Sequence, residues 1–300
     1  MQFPDFPYSA QTLALEGGQR LAYVDHGVGE AVLMLHGNPS WSFYWRRLIT
    51  ALGESRRCIA PDWIGMGRSD KPADAAYQYT LATRIDELEQ VYQHLVRERG
   101  LPATGLTLAV HDWGGMIGLG WAVQHPERIA RLIVTNTGAF PNPKGIRLPR
   151  SLNLGRNSRL GALLIRGLNA FAAGATRLAV VKPLAADVRK AYTAPYDSWA
   201  NRIATLRFVQ DIPLRPGDRA WSIVEDTAAR LSVLADKPML LAWGLRDFVF
   251  DRAFLDEFVR RFPRAQAHAF EDAGHYVLED AHQRIIPLVR DFLACNPLPR

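Results

Sequence analysis

The chain has 300 residues, of which 48% are hydrophobic and 22% are charged, and its formal net charge is +6. These proportions are those of a globular protein with room for one large α/β domain or two modest ones, and they exclude a disordered or fibrous chain. The two cysteines, Cys58 and Cys295, stand far apart and in no metal-binding spacing, so we expect neither a disulfide framework nor a zinc site.

The charge is unevenly distributed along the chain. Residues 141–230 contain 15 Lys or Arg and 6 Asp or Glu, a net of +9, which leaves −3 for the remainder. No nucleic-acid motif accompanies this charge, so we expect no nucleic-acid partner; a solvated helical face is the plainer interpretation, and an acidic partner is the alternative. Neither a signal peptide nor an apolar run of about 18 residues is visible, so we expect no transmembrane segment and a cytoplasmic protein.

The first half of the chain alternates between predicted strands and predicted helices. Two short segments with alternating polarity, 11–16 and 20–26, flank Gly17-Gly18, a pair suited to a hairpin turn. Buried strands are predicted from apolar runs at 31–35, 57–61, 106–110 and 129–135. Helices are predicted at 41–52, 79–99 and 116–124. This alternation predicts a mostly parallel, doubly wound α/β sheet.

The alternation stops near Pro141 and resumes near Asp226. Between these points no apolar run predicts a buried strand, and prolines separate several short helical segments. The later elements are strands at 239–243 and 265–270 and helices at 252–262 and 281–293. We therefore predict one α/β core formed by residues 1–140 and 226–300, interrupted by a helical insertion over residues 141–225.

The segment from Leu106 to Met116 runs from a predicted strand into a predicted helix through Asp112, Trp113 and the pair Gly114-Gly115. Paired glycines let a strand and a helix approach closely, as in a nucleophile elbow, whose usual pattern is G-x-S-x-G. Here Asp112 stands in the serine position. Taken alone, Asp112 is equally well explained as the N-cap of a helix.

Three candidate catalytic residues follow predicted strands. Asp112 follows 106–110, Asp247 follows 239–243, and His275 follows 265–270. Ligand sites in parallel sheets gather at the carboxyl ends of the strands. Each residue alone is a weak indicator, but the order nucleophile, acid, histidine is that of the α/β-hydrolase triad.

Six motifs spread over nearly the whole chain carry a family resemblance. They are His36-Gly-Asn-Pro39, Asp62-Trp-Ile-Gly-Met-Gly-Arg-Ser-Asp70, His111-Asp-Trp-Gly-Gly115, Asp211-Ile-Pro-Leu214, Trp243-Gly-Leu-Arg-Asp247 and Asp272-Ala-Gly-His275. On these motifs the chain resembles the α/β-hydrolase superfamily, and within it the haloalkane dehalogenases and the β-lactone decarboxylases of bacterial long-chain olefin biosynthesis. The resemblance implies an α/β-hydrolase fold with a helical cap inserted after the sixth strand.

The resemblance also implies a role for each candidate residue. Asp112 would attack carbon and form an ester, and in a dehalogenase His275 would then activate water while Asp247 orients its imidazole. The backbone N–H groups of Asn38 and Trp113 would hold an oxyanion, and their side chains would bind the leaving anion. No cofactor and no metal are expected. Some dehalogenases place the acid after the strand at 129–135, but Thr135-Asn-Thr137 offers no carboxylate there.

Two activities are consistent with this set of residues. A β-lactone decarboxylase would convert a 3,4-dialkyl oxetan-2-one to an alkene and CO2, and whether Asp112 attacks the carbonyl or the ring carbon stays open. A haloalkane dehalogenase is the alternative. The insertion has many apolar side chains for a lid over a small halide substrate, which favours a larger hydrophobic small molecule as substrate. Packing of the insertion on itself and on the core explains most of them at least as well. They are Leu152, Leu154, Leu160, Leu163, Leu164, Ile165, Leu168 and Phe171.

Three further expectations concern other activities and partners of the chain. An epoxide hydrolase would need tyrosines there to protonate the epoxide oxygen, for which Tyr192 and Tyr196 are candidates, but the amide of Asn38 suits an anion better than an epoxide. A non-catalytic binding protein is the least favoured reading, because the three catalytic candidates are all present. The net charge of +9 suggests assembly with pathway enzymes.

Overall fold

The computed structural model, which describes residues 3–145 and 147–298, contains one mixed β-sheet. Within these ranges its eight strands are β1 Gln11–Ala14, β2 Arg20–His26, β3 Glu30–Leu35, β4 Arg56–Pro61, β5 Leu106–Asp112, β6 Ile129–Thr137, β7 Met239–Gly244 and β8 Gln266–Phe270. Their order across the sheet is β1-β2-β4-β3-β5-β6-β7-β8. Strand β2 runs antiparallel to β1 and β4, whereas β4, β3 and β5 to β8 are mutually parallel.

Helices cover both faces of this sheet and fill the connection between β6 and β7. In the described ranges the α-helices are α1 Arg46–Leu52, α2 Leu81–Glu98, α3 Trp113–Ala122, α4 Arg150–Asn157, α5 Arg159–Leu168, α6 Ala170–Leu178, α7 Ala186–Thr193, α8 Ile203–Gln210, α9 Trp221–Arg230, α10 Arg252–Arg261 and α11 Val277–Cys295. The predicted α/β architecture with a helical cap after the sixth strand is confirmed. None of these helices is long and apolar enough to cross a membrane.

The central strand β5 shows why the sequence folds this way. Every residue from Leu106 to Asp112 is buried, because helices α2 and α3 cover one face of the sheet while α1 and α11 cover the other. Helix α2 turns one apolar stripe to the core and begins at Thr80, whose side chain accepts a hydrogen bond from the N–H of Thr83 over 3.1 Å. The carboxyl end of β5 is thus packed on both faces.

Two element boundaries differ from those predicted. Helix α3 begins at Trp113 rather than at residue 116, because the chain turns from β5 into the helix without an intervening loop. The predicted end of the insertion, residue 225, lies inside α9, and Arg230 of that helix donates a hydrogen bond to the carbonyl of Val123 over 3.0 Å. The division into core residues 1–140 and 226–300 and insertion residues 141–225 remains a prediction.

A buried ion pair of the core accepts a hydrogen bond from the insertion. Arg46 of α1 donates to both carboxylate oxygens of Glu279 on α11, with the Nη2–Oε2 distance at 2.9 Å. Tyr192 of α7 donates its hydroxyl to the same carboxylate. Because charge-assisted hydrogen bonds between buried groups are expensive to break, this cluster fixes α7 relative to α11.

Candidate active site

Asp112 stands at the sharp turn between β5 and α3. Its backbone angles are φ 51° and ψ −126°, a conformation that costs a side-chain-bearing residue about 1–3 kcal/mol. Its carbonyl accepts a hydrogen bond from the hydroxyl of Thr137, and a Cβ at Gly114 would lie 2.0 Å from the carbonyl oxygen of Leu35. The side chain makes no capping hydrogen bond to α3. The geometry is therefore that of a nucleophile elbow and does not support a helix cap.

The carboxylate of Asp112 is buried and held by backbone donors. The N–H of Asn38 donates to Oδ2 of Asp112 over 2.6 Å. Burial raises the pKa of Asp112 to about 6, although the charge of His275 and the N–H groups of Asn38 and Trp113 act in the opposite direction. At neutral pH the carboxylate is mainly ionised and more basic than an exposed aspartate, which makes it a stronger nucleophile.

His275 and Asp247 form a hydrogen-bonded pair beside Asp112. Nδ1 of His275 lies 2.7 Å from Oδ2 of Asp247, while Oδ1 of Asp247 accepts from the N–H groups of Val249 at 2.7 Å and Phe250 at 3.1 Å. Burial lowers the pKa of His275, but the charge of Asp247, its hydrogen bond and the charge of Asp112 outweigh burial, so the pKa is raised overall. Since a carboxylate only accepts, Nδ1 carries the hydrogen and Nε2 remains for chemistry.

Asn136, at the end of β6, supports the acid and was not identified from the sequence. Its amide nitrogen donates to Oδ2 of Asp247 over 3.0 Å and to the carbonyl of Gly244 over 2.9 Å. Its Oδ1 accepts from the N–H of Gly244 over 2.8 Å. The amide thus fixes both the carboxylate of Asp247 and the end of β7.

Asp280, on the first turn of α11, fixes the loop that carries His275. Its Oδ2 accepts from the N–H of Gly274 over 2.8 Å and from the N–H of Val181 over 2.9 Å. Its Oδ1 accepts from the backbone N–H of Lys182 over 2.9 Å. One carboxylate therefore ties the histidine loop to the insertion. This role of Asp280 could not be recognised from the sequence, because acidic residues are ordinary in the first turn of a helix.

Asn38 and Trp113 place polar hydrogens beside the carboxylate of Asp112. In the described part of the chain no protein group accepts from the indole N–H of Trp113, which lines the cavity. Four other tryptophans donate to protein oxygens; they are Trp41, Trp63, Trp121 and Trp243. The amide of Asn38 donates one hydrogen to the carbonyl of Thr205 over 3.0 Å and keeps the second. Two donors therefore remain for an anion.

A cavity of about 730 Å³ opens above these groups, a volume typical of small-molecule sites. Its polar lining includes Asn38, Asp112, Trp113 and His275. Its apolar lining includes Phe140, Leu148, Leu152, Phe171, Leu178, Phe248, Val249, Phe250 and Phe254. The cavity therefore presents a reactive group to a largely apolar ligand.

The apolar residues of the insertion do not all face this cavity. Of the eight that suggested an apolar lid, Leu152 and Phe171 line it. In contrast, Leu160, Leu163 and Leu168 are exposed on α5, which packs on α4 and α6. Contact with the substrate is therefore supported for Leu152 and Phe171 and not for the three exposed leucines of α5.

The two tyrosines considered as acids for an epoxide are engaged elsewhere. Tyr192 donates to Glu279, and the hydroxyl of Tyr196 donates to the carbonyl of Ser40 over 3.3 Å. Neither lines the cavity. Epoxide hydrolysis would therefore lack the proton donors that these tyrosines were expected to supply.

Comparison with known proteins identifies families that the whole chain resembles. A family model described as the α/β hydrolase fold matches residues 30–282. A cis-3-alkyl-4-alkyloxetan-2-one decarboxylase from Xanthomonas campestris pv. campestris is 50% identical, with 99% of this chain and 100% of the relative covered. A haloalkane dehalogenase from Mycobacterium marinum is 34% identical, with 87% and 84% covered. The crystal structure of a loop variant of a Bradyrhizobium elkanii haloalkane dehalogenase superimposes with a TM-score of 0.83 at 25% identity, covering 96% of each chain.

Proposed function

We propose that this chain, which belongs to the α/β-hydrolase fold family, decarboxylates 3,4-dialkyl β-lactones to alkenes and CO2. The observation that carries the proposal is a buried carboxylate at the elbow, with two unused anion donors beside it and an apolar cavity above it. The identity of 50% to a named decarboxylase over the full length, against 34% to a dehalogenase, supports the same choice.

The first step is attack by Asp112 on the ring carbon that bears the lactone oxygen. The C–O bond to that carbon breaks, an ester to Asp112 forms, and the ring oxygen leaves as part of a carboxylate. The N–H of Asn38 supports attack at this carbon rather than at the carbonyl carbon. It binds Oδ2 of Asp112 and is therefore not free to hold an oxyanion on the lactone carbonyl. The new carboxylate would be bound by the indole N–H of Trp113 and the free amide hydrogen of Asn38.

The second step regenerates the enzyme without water. The carboxylate carbon leaves as CO2, the electrons of its C–C bond form the double bond, and the ester C–O bond breaks to release Asp112 as a carboxylate. Inversion at the ring carbon followed by anti elimination converts a cis lactone to a cis alkene. His275, protonated and held by Asp247, stabilises the carboxylate of Asp112 by its charge as the ester bond breaks.

The test is incubation of the protein with a synthetic cis-3,4-dialkyl β-lactone and analysis of the products by gas chromatography. We expect the cis alkene and an equimolar amount of CO2, and no alkene from Asp112→Ala. Absence of alkene at high concentrations of folded wild-type protein would exclude the proposal. A trans alkene would exclude inversion followed by anti elimination.

Haloalkane dehalogenation is the second candidate function. The donors of Asn38 and Trp113 suit a halide as well as a carboxylate, and His275 with Asp247 supplies the base that ester hydrolysis needs. Release of bromide from 1,2-dibromoethane, abolished in Asp112→Ala, would support it. A low rate beside rapid alkene formation would make it a side activity of the same site.

Two expectations about the surroundings of the protein remain predictions. Assembly with pathway enzymes through the basic insertion rests on the net charge of +9 over residues 141–230. Gel filtration of the purified proteins, alone and mixed, would test it. A cytoplasmic location would be tested by fractionation of the cells that produce the protein.

A further inference from the structure

Helix α5 turns a stripe of leucines to the solvent. Leu160 and Leu163 fall on one face of the helix and Leu168 is its last residue, and the three residues are 57%, 55% and 72% exposed. The opposite face, with Gly161 and Ile165, is buried against the rest of the insertion. A surface helix normally presents polar residues to water, so the outer leucines contribute nothing to the core and indicate a contact surface.

A tryptophan continues this stripe. Trp199 is 50% exposed, and a Cβ at Gly167 would lie 3.8 Å from its ring and 3.6 Å from the side chain of Leu163. The guanidinium of Arg166 stacks on the same ring at 4.5 Å. We call Leu160, Leu163, Leu168 and Trp199 the leucine face. Apolar side chains bordered by tryptophan and arginine are typical of helices that lie at the interface of a membrane.

The net charge of the insertion favours an anionic partner for the leucine face. Residues 141–230 carry a net charge of +9. Within the described ranges neither Arg159 nor Arg166, the two cations of α5, forms an ion pair with a carboxylate. A second copy would bring one basic insertion against another, which charge repulsion opposes, whereas an anionic surface would be attracted.

The position of α5 relative to the cavity favours a lipid surface over an acidic protein. Helix α5 packs on α4 and α6, and both of those helices line the cavity. The proposed substrate carries two alkyl chains and no charge, so it partitions into a bilayer rather than into water. We propose that the leucine face docks on the surface of an anionic phospholipid bilayer; the choice of lipid over protein rests in part on the proposed function.

Sedimentation with vesicles tests the docking without any substrate. We expect the protein to bind vesicles that contain phosphatidylglycerol, to bind phosphatidylcholine vesicles weakly, and to lose affinity as salt is added. Leu160→Ser/Leu163→Ser/Leu168→Ser should lower the partition coefficient by roughly tenfold or more. Arg159→Glu/Arg166→Glu should lower it by at least about fivefold per charge removed at low salt. Val28→Ser, at a valine 71% exposed between β2 and β3, is the matched control and should bind like the wild type.

Several outcomes would overturn the proposal. They are absence of binding to phosphatidylglycerol vesicles at low salt, unchanged binding by the triple serine variant, and a leucine-dependent dimer or complex with an acidic protein in light scattering. The triple variant should keep full activity on a short-chain lactone in solution, since its three positions do not line the cavity. Vesicle binding without any alkene formation would refute the proposed function and leave the docking intact.

Discussion

The side-chain amide of Asn136 donates a hydrogen bond to Asp247 at the oxygen that also contacts the imidazole of His275. We expect Asn136→Leu to lower kcat/KM by about tenfold or more, because it removes this bond and leaves the N–H of Gly244 without its partner. A carboxylate that loses a donor attracts a proton more strongly, so the pKa of His275 should rise further. The pH profile of kcat/KM, compared with that of the surface variant Asn157→Leu, checks both effects; an unshifted profile would assign Asn136 a purely structural role.

The buried charge of Asp112 should cost the protein stability. Its pKa is about 6 in the fold against an ordinary value of 3.8, so folding favours the protonated form below about pH 4, and that advantage is lost as the pH rises through 6. At neutral pH the fold therefore contains a carboxylate that is better solvated in the unfolded chain. We expect Asp112→Asn to raise the free energy of unfolding at pH 7 by ~1–3 kcal/mol. Urea denaturation at pH 7 and at pH 4 measures this difference, which should shrink at the lower pH.

The same titration should limit catalysis. Only the ionised form of Asp112 is a nucleophile, so kcat/KM for the lactone should fall below about pH 6. Decarboxylation needs no neutral histidine, whereas ester hydrolysis does. Since the pKa of His275 is raised, turnover of a haloalkane should reach its plateau at a higher pH than turnover of the lactone. Coincident profiles for the two substrates would argue that both reactions need the same base.

Asp112 also shows how far the sequence alone can lead. The order and spacing of the candidate residues predicted the fold and placed Asp112, Asp247 and His275 at strand ends, because parallel strands and their loops leave local patterns. Asn136 could not be recognised, since its partner lies 111 positions away and an amide after a strand is ordinary. The outward leucines of α5 could not be assigned for another reason. The sequence shows that the helix has an apolar stripe, but the same stripe is expected whether it faces the core or a partner outside the chain.

Loss of His275 should separate the two candidate reactions. We expect His275→Ala to accumulate a covalent ester on Asp112 with 1-iodobutane, because water is no longer activated to hydrolyse it. With the lactone, the carboxylate on the neighbouring carbon can still expel Asp112, so the ester should not accumulate, although turnover should slow. Intact-protein mass spectrometry after a single turnover measures both. A lasting adduct from the lactone would indicate that release of the alkene depends on His275.

Gly174 should set the length of alkyl chain that the cavity accepts. It lines the cavity on α6, and a Cβ built there would have no atom within 4 Å, so the position opens into empty space. We expect Gly174→Phe to lower kcat/KM for long-chain lactones at least about tenfold while short-chain lactones react as before, since the ring fills space that only long chains use. The helix should tolerate the change, because glycine is a poor helix former. Competition between two lactones of different chain length gives the ratio of their kcat/KM values directly, with Gly174→Ala as the control. An unchanged ratio in Gly174→Phe would mean that the alkyl chains run along another wall of the cavity.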